Sequence, residues 1–358
     1  MKVGIIGCGN ISKIYLENAA VFHNYTIEAV SDLVLERAQE RAKEYGIPKA
    51  YTTEELLNDP EIELVINLTI PAAHADIACQ ALNKGKHVYG EKPLAVELAD
   101  GERILALSHD KGLYVGNAPD TSLGAGIQTV RKLLDEGAIG EPLSATAFMM
   151  GAGHENWHPD PAFYYKHGGG PMFDMGPYYL TALIHLLGPA ARVTGSARIS
   201  RPERTITSQP KYGEKIAVEV PTQINSVIDF ENGTVVSMIM SFDVQSHQLP
   251  HIEIYGTEGT ISVPDPNTFG GPVYLKKKNQ QQWEEVPLID GYVGNSRGLG
   301  VAEMVAAIQE QKKSRVEGAL AYHVLEMMHG VYQSSNEQKH VILSSSCQRP
   351  AAFVNQTF

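Results

Sequence analysis

The stretch that most restricts what this chain can fold into is its start. Lys2–Ile6 is a short apolar run that passes directly into Gly7-Cys8-Gly9-Asn10-Ile11-Ser12, a GxGxxS turn, and then into residues with helical spacing from 12 to 22. Glycines at 7 and 9 allow a tight turn and close backbone approach, and a helix opening there presents free N–H groups to a pyrophosphate. Alone, such a turn says little; its context is what counts. Thr26–Ser31, Leu64–Leu68, His87–Gly90 and Leu113–Asn117 are further apolar runs, separated by helical stretches at 35–45, 74–84 and 97–110. That alternation predicts βαβ units and a parallel sheet. Asp32 closes the second run, where a carboxylate accepts hydrogen bonds from an adenosine ribose. It would repel a 2′-phosphate, and no arginine stands at Ser31 or Leu33 to receive one, so NAD is expected; Arg37 on the next helix leaves NADP open.

From Leu143 the period changes. Leu143–Met149, Ala191–Ile199, Gln223–Phe230, Thr234–Phe242 and His251–Tyr255 read as strands, with Asn232-Gly233 as a type I′ hairpin turn. Two helices follow, Val301–Lys312 and Val316–Asn336, the second with a core stripe of Leu320, Val324, Met327 and Val331. The expected fold class is therefore α/β: a Rossmann dinucleotide-binding domain over 1–120, and an α+β substrate domain over 121–358 with a large, mainly antiparallel open sheet. A sheet of that size must cover its second face, which predicts a homodimer or homotetramer formed through it.

With 29 Lys plus Arg against 41 Asp plus Glu, a formal charge of -12, and no long basic run, nucleic acid is excluded as a partner. Cys8, Cys79 and Cys347 lack metal-ligand spacing and an even count, which fits a reducing compartment. No apolar stretch is long enough to span a bilayer, and the start lacks the apolar core of a signal peptide, so the expectation is a cytoplasmic protein with no membrane partner.

Four further stretches carry chemistry. Thr69-Ile70-Pro71-Ala72-Ala73-His74 and Glu91-Lys92-Pro93 each follow a parallel strand, at the end where open α/β sheets bind ligands. Pro93 keeps Lys92 extended; the plain alternative is a solvated charge. Gly168-Gly169-Gly170 leads to a helix capped by Asp174 or Gly176, with Pro177 in its first turn and Gly188-Pro189 at its stop. Asp174 and Tyr178, four apart, then share one face; the alternative is a cap and a packed aromatic. Lastly, His154-Glu155-Asn156-Trp157-His158 is a literal H-E-x-x-H, which binds zinc when it lies on a helix. Gly151, Gly153, Pro159 and Pro161 make it a loop instead, and no metal is expected.

The GxGxxS turn, Glu91-Lys92-Pro93, Gly168-Gly170 before Asp174, and Ile254–Val263 (IYGTEGTISV), in this order and spacing, resemble the Gfo/Idh/MocA family of oxidoreductases over nearly the whole chain. The resemblance implies NAD(P)-linked oxidation or reduction at a carbinol carbon of a sugar, cyclitol or related polyol. It implies Lys92 as the active-site lysine, Asp174 as the carboxylate of the following helix, and cofactor contacts along Gly7, Gly9, Asn10, Ile11, Ser12, Asp32, Arg37, Thr69, Pro71, His74, Glu91 and Lys92. Many members have His four residues after the aspartate; this chain has Tyr178, as some sugar- and diol-acting branches do. A phenol gives up its proton near neutral pH only beside a cation, and Lys92 is the candidate. Lys92 would polarise the reacting oxygen, Tyr178 relay its proton and Asp174 position the pair, with His158, His167 and His185 as alternative proton carriers.

Trp157 and His158, with Lys92, Asp174 and Tyr178, are candidate substrate contacts, since a flat aromatic covers C–H faces and an imidazole bonds hydroxyls; the alternative for Trp157 is an anchor that holds the loop to the domain surface. Arg297 is a candidate contact or a plain surface charge. The competing reading is a catalytically silent NAD(P) or sugar sensor on the same fold. Its signature would be loss of Lys92 or Asp174, and both are present.

Overall fold

The computed structural model describes residues 1–354 and 358. They form two compact units, one built from Met1–Gly124 with Asp290–Leu325, the other from Ala125–Ile289 with Glu326–Ala352.

The first unit holds six parallel strands: β1 (Lys2–Ile6), β2 (Thr26–Ser31), β3 (Lys49–Tyr51), β4 (Leu64–Asn67), β5 (His87–Gly90) and β6 (Val115–Asn117). Between them run α1 (Ser12–Asn18), α2 (Leu35–Tyr45), α3 (Thr53–Asn58), α4 (Pro71–Asn83) and α5 (Leu98–Lys111). The spatial order is β3-β2-β1-β4-β5-β6. This is the doubly wound order whose direction reverses between β1 and β4, so the loops leaving those strands open the ligand crevice. The central strands are apolar because both faces are covered: β4 is buried along its whole length, as is β1 from Val3 onward. Two elements are additional to the expected ones. β3 is a three-residue edge strand, and α3 is started by a capping box in which Thr52 accepts from the Glu55 N–H and the Glu55 carboxylate accepts from the Thr52 N–H.

The second unit opens with α6 (Ala125–Asp135) and β7 (Pro142–Met150), followed by α7 (Gly170–Leu187) and the strands β8 (Ala190–Arg198), β9 (Glu203–Thr205), β10 (Lys215–Ala217), β11 (Gln223–Phe230), β12 (Val235–Ser241), β13 (Ile252–Gly256), β14 (Gly259–Val263), β15 (Val273–Lys277) and β16 (Glu284–Val286). After these come α8 (Leu299–Gln309) in the first unit, α9 (Gly318–Glu337), and β17 (Val341–Ile342). Nine strands make one open sheet in the order β16-β15-β14-β13-β7-β12-β11-β8-β17, and β9 pairs with β10 alone. Only β7 and β12 run parallel within the large sheet, which is otherwise antiparallel. Alternation is clean on β11, where Ile224, Ser226 and Ile228 are buried while Asn225 and Val227 are exposed, and α7 packs on the buried side. The stripe of Leu320, Val324, Met327 and Val331 on α9 is buried.

Two local expectations change. The β11–β12 connection is a three-residue loop in which the Gly233 N–H donates to Phe230 O and only Gly233 has positive φ, +89°. A type I′ turn needs positive φ at Asn232 as well, so the chain uses a type I turn with a glycine bulge, and the Asn232 side chain instead accepts from the Thr234 N–H. Helix α7 begins at Gly170, with Pro171 in its first turn, so Asp174 is inside the helix and not its cap. Pro177 is an interior proline that leaves the Phe173 carbonyl without its usual i+4 donor.

Candidate active site

At the carboxyl end of β1 the backbone of Gly7 takes φ +105°, and a Cβ there would stand 2.6 Å from Leu68 O, so no other residue lets the turn pass the end of β4 this closely. A Cβ at Gly9 would meet nothing within 4 Å, which leaves that side open for a phosphate group. Ser12, buried, donates from Oγ to Gly9 O at 2.7 Å and ties the turn to α1; Asn10 is exposed beside it and Ile11 partly so. The Asp32 carboxylate is oriented by the same turn: Oδ2 accepts from the Cys8 N–H at 2.8 Å and Oδ1 from the Val34 N–H at 3.0 Å. Arg37, largely exposed, reaches Asp32 at 3.8 Å. Burial and the Asp32 charge push the Cys8 thiol up to about 12, so it stays a protonated packing group. Open turn, oriented carboxylate and exposed arginine together fit the pyrophosphate and adenosine ribose of a dinucleotide.

The loops after β4 and β5 are locked to each other. His74 is buried, with Nδ1 2.7 Å from Pro93 O and Nε2 3.1 Å from Thr69 O, and burial holds its pKa below the usual imidazole range. Both ring nitrogens face main-chain carbonyls, with the single N–H of the neutral ring donating to one of them, and His74 is a strut between the two loops. Asn67 adds to the brace by donating to His74 O and accepting from Thr69 Oγ1. Pro71 opens α4. Glu91 accepts from Tyr15 Oη at 2.8 Å and from the Lys92 N–H at 3.1 Å, while the Asn117 amide donates to Gly90 O and Glu91 O. Lys92, partly buried, therefore leaves a backbone held on three sides.

Behind this corner Asp120 is fully buried and receives the N–H groups of Gly298 and Gly300 at 2.9 and 3.0 Å, joining the end of β6 to the start of α8. Burial pushes its carboxyl up to about 6, and the two N–H donors pull the other way. Tyr15, Asn117 and Asp120 belong to no motif and are invisible to pattern reading. Arg297 lies in the loop before α8, where its Nη1 donates to Asn295 Oδ1.

In the second unit Asp174 and Tyr178 occupy successive turns of α7, with Tyr178 8% exposed and Asp174 more open. Facing Asp174 is His154, whose Nε2 lies 3.6 Å from Asp174 Oδ2. Trp157 is 61% exposed and sits within ring-contact range of both His154 and His158. His158 Nδ1 accepts from the Asp160 N–H, His167 is exposed, and His185 is fully buried in α7. The H-E-x-x-H segment is a turn. Glu155, which a zinc hydrolase would place beside metal-bound water, instead accepts from Arg204 Nη1 at 2.6 Å and from Tyr165 Oη. Among the described residues no group of three His, Cys, Asp or Glu is arranged to hold a metal.

A doubly wound parallel sheet with this glycine turn and carboxylate defines a Rossmann-type dinucleotide-binding protein carrying a second, mixed-sheet unit. Residues 1–118 match the oxidoreductase family with an NAD-binding Rossmann fold, and residues 127–262 match the GFO/IDH/MocA C-terminal domain. The chain belongs to the Gfo/Idh/MocA family. It is 26% identical over 176 residues to myo-inositol 2-dehydrogenase of Thermotoga maritima, an overlap of 49% of this chain and 51% of that enzyme, so it spans about half the length of that relative. It is 29% identical over 305 residues to trans-1,2-dihydrobenzene-1,2-diol dehydrogenase of Xenopus tropicalis, covering 84% and 86% of the two chains. The fold matches an NAD-binding oxidoreductase from Klebsiella pneumoniae with a TM-score of 0.85 at 20% identity, over 97% of this chain and 100% of that one.

Proposed function

We propose that this chain is an NAD-linked dehydrogenase or reductase acting at a carbinol or keto carbon of a sugar, cyclitol or related polyol. The observation that carries the reading is the pairing, in one member of this family, of a dinucleotide turn with an oriented Asp32 and a braced Glu91-Lys92-Pro93 corner, alongside a helix presenting Asp174 and Tyr178. Bound NAD would supply the hydride acceptor. Gly7, Gly9, Asn10, Ile11 and Ser12 would hold its pyrophosphate, Asp32 its adenosine ribose, and Thr69, Pro71 and the Glu91-Lys92 corner the remainder.

Oxidation of an alcohol removes a hydride from carbon and a proton from oxygen. In this proposal the Lys92 ammonium stabilises charge on that oxygen, the Tyr178 hydroxyl relays the proton, and Asp174 orients substrate and phenol. Trp157 and His158 contact the sugar. The enzyme is proposed to act in the cytoplasm as a homo-oligomer, without nucleic-acid or membrane partners. Support for the oligomer comes from the large sheet's second face, where Val227 and Val235 stand exposed on adjacent strands. No described helix is long and apolar enough to cross a membrane.

The test is absorbance at 340 nm with NAD and NADP against a panel of sugars, cyclitols and their keto forms. Turnover with at least one of these is expected; silence across the panel, with NADH binding intact, would favour a sensor. A second expected result concerns cofactor choice. Asp32→Ala removes a charged acceptor worth about 1.5–3 kcal/mol per hydrogen bond, so KM for NAD should rise roughly tenfold or more. With the repelling charge gone and Arg37 left in place, NADP use should improve, and steady-state kinetics with both cofactors checks this.

A further inference from the structure

The loop that carries the H-E-x-x-H letters has a buried interior that the reaction proposed above does not use. The Arg204 guanidinium, its side chain 3% exposed, is paired with Glu155 on one side and Asp243 on the other. Thr222 Oγ1 donates to Asp243 at 2.6 Å, Tyr165 donates to Glu155, and the Tyr165 ring lies 5.0 Å from the arginine carbon. Such a cluster is costly to bury and costly to break once formed, so its partners are held in one arrangement. It also fixes the backbone of the loop: Arg204 donates to Ala152 O at 3.3 Å, and Tyr165 Oη accepts from the His154 N–H at 3.2 Å.

The side chain this clamp presents is His154. Tyr164 is stacked on its imidazole at 3.7 Å and 11°, Phe242 meets it edge-on at 4.6 Å, and Trp157 lies at 5.4 Å. Turning the ring would unstack it. Held this way, Nε2 faces Asp174 at 3.6 Å, with the two side chains 13% and 19% exposed.

We propose that His154 is a positioning residue for Asp174, held against it by the Arg204–Glu155–Asp243 clamp, and that its protonation state sets the charge available at Asp174. The proposal rests on the reading of Asp174 as an active-site carboxylate. The neutral imidazole leaves Asp174 its full negative charge, whereas the imidazolium neutralises it. The titratable and charged groups around His154 are Glu155, His158, Tyr164 and Tyr165 from its own loop, Arg204 from β9, Asp243 after β12, and Asp174 from α7. Glu155 and Asp243 are committed to Arg204, which leaves Asp174 as the anion that responds to the imidazole. Activity in the oxidative direction should therefore rise with pH through the titration of His154.

Two arms test this on the whole chain. The first uses no substrate: the imidazole titration of His154 is followed by NMR in protein carrying 13C-labelled histidine, with the resonance assigned by its loss in His154→Gln. An opposite charge within about 4–6 Å favours the imidazolium, so the midpoint should move to lower pH by about half a unit or more in Asp174→Asn, and in Asp174→Ser as a second variant. An unmoved midpoint overturns the proposal. The second arm compares His154→Gln, which keeps a donor, with His154→Phe, which keeps the stacking. A positioning role predicts that Gln retains more kcat than Phe, that KM changes less than kcat, and that both variants lose the acid limb of the kcat profile. A packing role predicts the reverse order with the limb intact, and that result sinks the idea. If the wild-type protein turns over nothing in the panel, the proposed function fails, and the NMR arm still decides whether His154 and Asp174 are coupled.

Discussion

Lys92→Ala should reduce kcat/KM by about 100- to 1000-fold, the range found when one preorganised hydrogen-bond donor to a developing oxyanion is removed. The expectation rests on how little freedom the lysine's backbone has. Its N–H is bonded to Glu91, Glu91 is bonded to Tyr15, and the Asn117 amide spans the carbonyls of Gly90 and Glu91. His74 pins the following Pro93 to the β4 loop through a 2.7 Å contact. An ammonium on such a mount costs little reorganisation when charge appears on the substrate oxygen, and alanine leaves the mount intact. NADH affinity, read by fluorescence titration, should fall far less than kcat/KM, and the melting temperature should hold. Lys92→Arg should recover only part of the loss, because a planar fork cannot place its charge where a compact ammonium sat. Activity of Lys92→Ala within about tenfold of wild type would remove the lysine from the role assigned to it, since one lost hydrogen bond to a charged group is worth about that much.

How much of this is legible in the letters depends on whether the deciding contact is local. Val3–Ile6 and Leu64–Asn67 declare a buried parallel sheet because strands covered on both faces are apolar throughout, and Gly7 declares the turn because only glycine fits at its positive φ and close approach to Leu68. β3 is a three-residue, half-buried edge strand, too short to show a period. The letters start helix α7 more than a turn late because Pro171 and Pro177 both suit a helix start, and the approach through Gly169 and Gly170, the latter at φ +78°, settles on the earlier one. Asn232-Gly233 suggests a two-residue turn from composition, while the pairing of Asp229 with Val235 makes room for a longer one.

The H-E-x-x-H letters mislead in the other direction. Their fate is decided by Arg204, 49 residues beyond Glu155, and nothing in the spacing within the loop announces that partner. The same holds for His154, whose approach to Asp174 depends on that clamp and on Tyr164 and Phe242 closing around the ring. Prolines 159 and 161 do exclude the helical zinc geometry from sequence alone, but what replaces it is a tertiary fact.

Tyr178→Phe is the variant that separates the lysine from the proton. It removes one hydroxyl from a position 8% exposed on α7 and leaves the ring in place, so folding should be unaffected and any loss belongs to chemistry. A positioned acid–base group contributes about 100- to 10,000-fold, and Tyr178→Phe should therefore lower kcat by at least about 100-fold with KM little changed. The direction of the KM effect matters. If the phenol served only to bind a substrate hydroxyl, its loss would raise KM and leave kcat near wild type, because binding lost equally from ground and transition states does not alter the chemical step. Asp174→Asn supplies the comparison. It keeps the side chain's size and removes its charge, so a carboxylate that only orients its neighbours should cost less than the phenol that moves the proton. Should Tyr178→Phe retain kcat within a few-fold while Asp174→Asn is inactive, the proton leaves by a route that does not involve Tyr178. His154, already at 3.6 Å from Asp174 in this structure, would then be the group through which it passes.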